Sequence, residues 1–234
     1  MDIAGTDSES QDNFGTPPPS QAAATVEPDS PAKSRPVPSH LSEFQPNNKR
    51  RWTLPEFNAD DHTFLLAASN GVALAKFAPR GWRVAAYRGA RFTDAQRVLS
   101  SAALPDHIKT VIVSVGLNDR FSNANLIHEH IHELKLRLQT NTHRFRILIV
   151  PIPNFAPDPI TNELLPREFT QGTGIINQAF YDLFQEPGWL MPLPADYYAV
   201  KRFPNSGDWS HFNDQSTGRL MGLISMYLQK TGRE

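Results

Sequence analysis

A three-layer α/β/α sandwich built on a parallel sheet is the fold this sequence predicts, and three observations carry the prediction. Short aliphatic runs recur along the chain after residue 60. Segments with helical apolar spacing separate them. Two of the runs are nearly continuous in apolar residues, as parallel strands covered on both faces require. Alternation of strand and helix then gives a parallel sheet with helices on both sides.

The elements follow in order. Thr63–Ala67, Trp82–Tyr87, Thr110–Val115 and Arg146–Ile152 read as strands. Gly71–Phe77 reads as a short helix stopped by Pro79. Thr93–Leu104 carries Ala95, Val98, Leu99 and Ala102 at helical spacing, and Asn125–Leu138 carries Ile127, Ile131, Leu134 and Leu138 along one stripe. Gly172–Phe184 and Asp214–Leu228 read as the last two helices, the final one burying Leu220, Leu223, Ile224, Tyr227 and Leu228. Trp52, Trp82 and Trp189 are expected in or beside the core.

The first fifty residues are different. Nine of the 20 prolines fall by Pro55, and the large apolar groups after Met1 are Ile3, Phe14, Val26, Val37, Leu41 and Phe44. Such a segment buries too little surface to offset its backbone entropy, so residues 1–50 are expected to be a disordered Pro/Ser-rich arm. Residues 51–234, roughly 180 in all, suffice for one domain with a substantial core. The arm holds seven acids and four bases, which leaves the domain 17 acids and 19 bases.

Composition excludes several classes of function. There is no cysteine, so disulfides, thiolate zinc sites and cysteine nucleophiles are out. With 23 Lys+Arg against 24 Asp+Glu, the balance gives no strong nucleic-acid signal. No apolar run approaches the roughly 18–20 residues of a membrane span. Met1-Asp2 is not followed by a basic region and an apolar stretch, so the reading expects an intracellular protein. Oligomeric state is not legible.

Sites in open parallel sheets form beyond the carboxyl ends of the strands. The residues that follow each strand are therefore informative. Ala68-Ser69-Asn70-Gly71 follows the first, Arg88-Gly89-Ala90 the second and Gly116-Leu117-Asn118-Asp119 the third, while Asp208-Trp209-Ser210-His211 precedes the last helix. These are the parts acyl transfer needs. A serine hydroxyl is a weak nucleophile until an imidazole takes its proton. Ser69 is the candidate nucleophile, His211 the base and Asp208 the carboxylate that orients it. A helix N-terminus beside Ser69 favours an oxyanion. Gly89 lets its amide approach one, and Asn118 offers a side-chain donor.

These four blocks, in this order, resemble the SGNH (GDSL-type) hydrolases, over about Phe64 to Leu228. Ala67-Ala68-Ser69-Asn70 stands where that family has its Gly-Asp-Ser box. Tyr87-Arg88-Gly89-Ala90 is similar to the glycine block, Gly116-Leu117-Asn118-Asp119 to the Gly-x-Asn-Asp block, and Asp208-Trp209-Ser210-His211 to the Asp-x-x-His block. The resemblance implies a flavodoxin-like α/β/α fold and ester or acetyl-ester hydrolysis of a small substrate through an acyl-enzyme, without metal or organic cofactor. It implies Ser69, His211 and Asp208 as the triad, with Ser69, Gly89 and Asn118 as the oxyanion hole. More loosely, a Pro-rich tail ahead of such a domain is similar to the SGNH-type esterase segments of animal retroelement proteins. Ala67 and Ala68 depart from the box. The aspartate they displace generally supports the nucleophile turn in the family, so a catalytically silent binding or assembly module is the alternative.

Other features have competing readings. Ser69-Asn70-Gly71 alone reads as a turn and helix cap. Trp209 beside His211 is a candidate wall of an acyl pocket, as is Asn154 in Pro153-Asn154-Phe155 at the end of the fourth strand. His128-Glu129-His130-Ile131-His132 matches the His-Glu-x-x-His zinc pattern. Helix geometry places His128 and His132 about 100–140° from the apolar stripe, on a flank expected to be wet. Leu138 stands where the extended motif needs its third histidine, so a zinc hydrolase is the weakest reading.

Overall fold

The computed structural model describes residues 52–140, 144–157, 165–203 and 210–232. The arm, with Asp208 and Trp209, lies outside the described residues. Four parallel strands form the main sheet: β1 (Thr63–Ala67), β2 (Trp82–Ala86), β3 (Thr110–Ser114) and β4 (Arg146–Ile149). They are ordered β2-β1-β3-β4. β1 is central and buried throughout, with Ala67 registered between Ala86 and Ser114. Each apolar run therefore became a strand covered on both faces.

Strand order dictates the layers. The chain leaves β1 in one direction to reach β2, then crosses back over β1 to β3 and continues to β4. With right-handed crossovers, the first connection lies on one face of the sheet and the next two on the other. The helices partition accordingly. α1 (Gly71–Leu74) packs with α5 (Asp214–Thr231), while α2 (Phe92–Ser101), α3 (Ala124–Gln139) and α4 (Arg167–Leu183) pack in succession. This is the three-layer sandwich expected.

Boundaries differ in instructive ways. β4 stops at Ile149 rather than Ile152, because Pro151 and Pro153 have no N–H to give a ladder. Leu190 extends the sheet beyond β4 through a parallel bridge to Ile149. α2 ends at Ser101, so Ala102 leaves the core face and is exposed. α4 begins five residues before the expected Gly172, at Arg167. A second sheet of two two-residue strands, β5 (Asn154–Phe155) and β6 (Tyr198–Ala199), had no periodic signal to announce it.

The stripe Ile127, Ile131, Leu134 and Leu138 is fully buried as expected, as are Leu220 and Ile224 of α5. Leu223, Tyr227, Leu228 and three tryptophans (Trp52, Trp82 and Trp189) pack partly buried against the core. None of the described helices is long and apolar enough to cross a membrane.

Candidate active site

The order in which the chain winds across the sheet reverses at β1, so the crevice expected of such sheets lies beyond the carboxyl ends of β1 and β3. Ser69 sits there, half-buried, in the three-residue turn Ala68-Ser69-Asn70 between β1 and α1. α1 lies close to the sheet because Gly71 has no side chain. A Cβ there would come within 2.8 Å of Ala67 Cβ and 2.9 Å of Ala86 Cβ. The helix has only four residues before it tightens into a 3₁₀ turn, Ala75–Phe77. Its dipole is correspondingly small, so the expected helix-terminus field gives way to individual amides. Asn70 corrects another expectation. It occupies the N-cap position, yet its side chain makes no cap hydrogen bond.

Gly89 adopts φ 71°, in the left-handed region that favours glycine. Among the described residues, the main-chain N–H groups of Ser69 and Gly89 have no acceptor. The side-chain amide of Asn118 donates to the Ala90 carbonyl at 2.9 Å, which ties the third block to the second. That NH₂ carries two hydrogens, so one such bond leaves a second donor direction. Gly116 makes the turn possible with φ 116°, where a Cβ would strike the Phe92 ring at 2.5 Å.

Asp119 is almost fully buried and accepts a hydrogen bond from the Phe92 N–H at 3.2 Å. Burial pushes its carboxyl up to about 7, an effect opposed by the Phe92 amide and the Arg91 charge. Sequence reasoning assigned Asp119 no role. Its signal was the apolar strand directly before it, which guarantees a low-dielectric setting.

His211 is half-buried and reaches the same rim from the far end of the chain. The Arg202 N–H donates to its carbonyl at 2.8 Å, and Lys201 pairs with Phe212 in an antiparallel bridge. On its other side the Asn70 carboxamide donates through Nδ2 to the Ser210 carbonyl at 2.8 Å and accepts the Phe212 N–H through Oδ1 at 3.1 Å. The Ser69 turn and the His211 loop, 140 residues apart, are thus directly bonded. Ser210 Oγ lies 3.5 Å from His211 Nδ1, at the outer edge of a hydrogen bond. Ser69 Oγ makes no hydrogen bond to His211 in this structure. Serine–histidine contacts in free enzymes are often long and tighten with substrate.

Around these groups the wall is aromatic. The Arg120 guanidinium stacks between Phe121 and Phe169, at 4.3 and 4.4 Å from their ring centres. Phe155 meets Phe169 and Phe212 edge-on, which carries the wall to the residue after His211. Beneath the rim is a cavity of about 30 Å³ bounded by Ala68, Asn70, Leu117 and Phe212, the immediate neighbours of Ser69, Asn118 and His211. Asn154, expected near the site, is exposed in β5 and pairs with Tyr198.

On α3, His128, Glu129 and His132 are all exposed, off the buried stripe of Ile127, Ile131, Leu134 and Leu138. Among the described residues no three His, Asp or Glu side chains converge to hold a metal ion.

No family model and no curated protein sequence matches this chain. Solved structures do. A GDSL-like lipase from Bacteroides thetaiotaomicron superposes with a TM-score of 0.54 at 11% identity, over 74% of this chain and 89% of its own. The catalytic domain of a peptidoglycan O-acetyltransferase from Streptococcus pneumoniae gives 0.50 at 12% identity, over 74% and 94%. The fold is that of the SGNH hydrolases. At such identities the likeness concerns architecture alone. The retroelement resemblance has no counterpart among these structures.

Proposed function

We propose that this chain is a serine ester hydrolase of SGNH type acting on small carboxylic or acetyl esters. The observation that carries the reading is the convergence of Ser69, the Gly89 turn, Asn118 and the His211 loop at the β1/β3 crevice, closed by the Asn70 and Asn118 hydrogen bonds. The structural neighbours named a lipase and an O-acetyltransferase support the same class of chemistry.

In this scheme Ser69 Oγ attacks the ester carbonyl while His211 takes its proton. Negative charge moves to the carbonyl oxygen, where the N–H groups of Ser69 and Gly89 and the Asn118 side chain stabilise it. Collapse expels the alcohol, which receives the proton from His211, and leaves an acyl group on Ser69. Water, deprotonated by His211, releases the acid. Asp208 fixes the imidazole tautomer and stabilises its charged form. Trp209 and Asn154 contribute to the substrate wall. No metal or organic cofactor takes part. We place the domain at residues 51–234, behind an arm at 1–50.

The test is labelling by a fluorophosphonate probe together with hydrolysis of short-chain nitrophenyl esters. Both are expected in the native chain and absent in Ser69→Ala. The second reading, a silent binding module, draws on Ala67 and Ala68 and on the missing Ser69–His211 hydrogen bond. Folded native protein that neither labels nor hydrolyses would establish it.

A further inference from the structure

We infer that Asn70 is the positioning residue of this site, holding His211 over Ser69 by gripping the main chain on both sides of the imidazole. The inference rests on the esterase reading above and adds to it a residue outside the four blocks' named groups.

Three observations converge on Asn70. Its carboxamide contacts residues 210 and 212, the two that flank His211, with donor and acceptor each used once. In effect it pairs with the base loop as a neighbouring peptide unit would. Second, a helix N-cap asparagine ordinarily turns its oxygen onto the first-turn amides. Here that bond is absent and the side chain points to the loop instead. Third, the partners are sheltered: Phe212 is buried, and Ser210 and Asn70 are half-buried, so water competes poorly for these bonds.

The chemistry is selective. An asparagine presents one donor and one acceptor at the end of a short arm. Aspartate would keep the bond from the Phe212 N–H but set a carboxylate oxygen against the Ser210 carbonyl. Leucine or alanine would make neither bond. Ala68 stands where the resembled family carries an aspartate that supports the nucleophile turn. Asn70, two residues further on, ties that turn to the His211 loop with two hydrogen bonds.

Displacement of a reacting group by about 1 Å costs on the order of 100-fold in rate. In the full chain, Asn70→Ala is therefore expected to lower kcat for a nitrophenyl acetate about 10- to 100-fold. KM should stay within about threefold and the melting temperature close to that of the native chain. A double-mutant cycle separates positioning from general support. In a His211→Ala background, whose residual turnover comes from the oxyanion donors, removing Asn70 should cost nothing further. Equal losses in both backgrounds, or no loss in the native background, would overturn the inference. Asn70→Asp guards against misfolding, since it keeps one of the two bonds and should fall between native and alanine.

Hydrogen exchange at the Phe212 amide gives a readout independent of turnover. It should accelerate at least about tenfold in Asn70→Ala and less in Asn70→Asp, and unchanged protection would sink the tether. If Ser69→Ala still labels, the esterase reading fails, while the exchange result still decides whether Asn70 holds the loop.

Discussion

The two ends of the sheet handle polarity in opposite ways. At the amino end, Arg83 Nε meets Asp61 Oδ2 at 3.1 Å, with both side chains less than a tenth exposed. The Asn58 N–H reaches the same oxygen at 2.8 Å. Both charges of that buried pair are matched. At the carboxyl end, the amides of Ser69 and Gly89 have no acceptor among the described residues, and Ser69 Oγ is likewise uncommitted. Both residues are half-buried, so each unmade donor costs part of the about 1–3 kcal/mol that a fully buried one would. A fold tolerates that cost where a ligand's charge will arrive to meet the donors. One end is closed electrostatically to hold the sheet, and the other is held open by neighbouring bonds that position it, chiefly those of Asn70 and Asn118.

Substitutions at each end should fail in different currencies. The largest effect belongs to His211→Ala, which should lower kcat/KM for nitrophenyl esters about 10⁴-fold with little change in thermal midpoint. Next is Arg83→Ala at the opposite end. It strands a buried carboxylate, so chemical denaturation should show a loss of about 3–5 kcal/mol, while turnover per folded molecule is retained. Asn118→Ala should lower kcat about 10²–10³-fold, the usual effect of losing an oxyanion donor, measured at saturating substrate.

Asp119 sharpens the comparison through pH. Its folded-state value of about 7 lies above the ordinary 3.8, so the folded protein holds a proton that the unfolded chain releases between those values. That stabilisation is complete below about 3.8 and is lost as pH rises through about 7. Native stability should therefore fall by about 2–3 kcal/mol between pH 5 and 8 from this group. Asp119→Asn keeps an acceptor for the Phe92 amide and removes the titration, so its denaturation midpoints should vary less over that range. The smallest effect is reserved for α3: His132→Gln should leave ester hydrolysis within about twofold, with or without chelator, because that side chain is exposed away from the rim.

The sheet was legible because its strands are buried on both faces and so had to be apolar along their whole length. Thr110–Val115 and Arg146–Ile152 needed no further context to read as strands, although the ladders stop at Ser114 and Ile149. Turn glycines were legible for a similar reason, as Gly116 follows a strand with no room for a side chain. What escaped was tertiary. Ser69-Asn70-Gly71 reads locally as a cap, and only the arrival of residues 210–212 draws the Asn70 side chain elsewhere. Strands β5 and β6 are two residues each, too short for any period to show. The burial of Arg83 was hidden because a charge inside a strand looks like a solvent-facing position until its partner, 22 residues earlier, is placed.

The contact between Gly71, Ala67 and Ala86 has a consequence for how this architecture is recognised. Those two methyl groups act as shims against which the first residue of α1 rests, and a Cβ added at Gly71 would meet both below 3.0 Å. Kin of this chain are then better sought by three coordinated small residues, on two adjacent strands and the first helical position, than by a Gly-Asp-Ser string. Enlarging one of the three calls for a matching reduction at another, a volume constraint that letter-by-letter motif searches do not register.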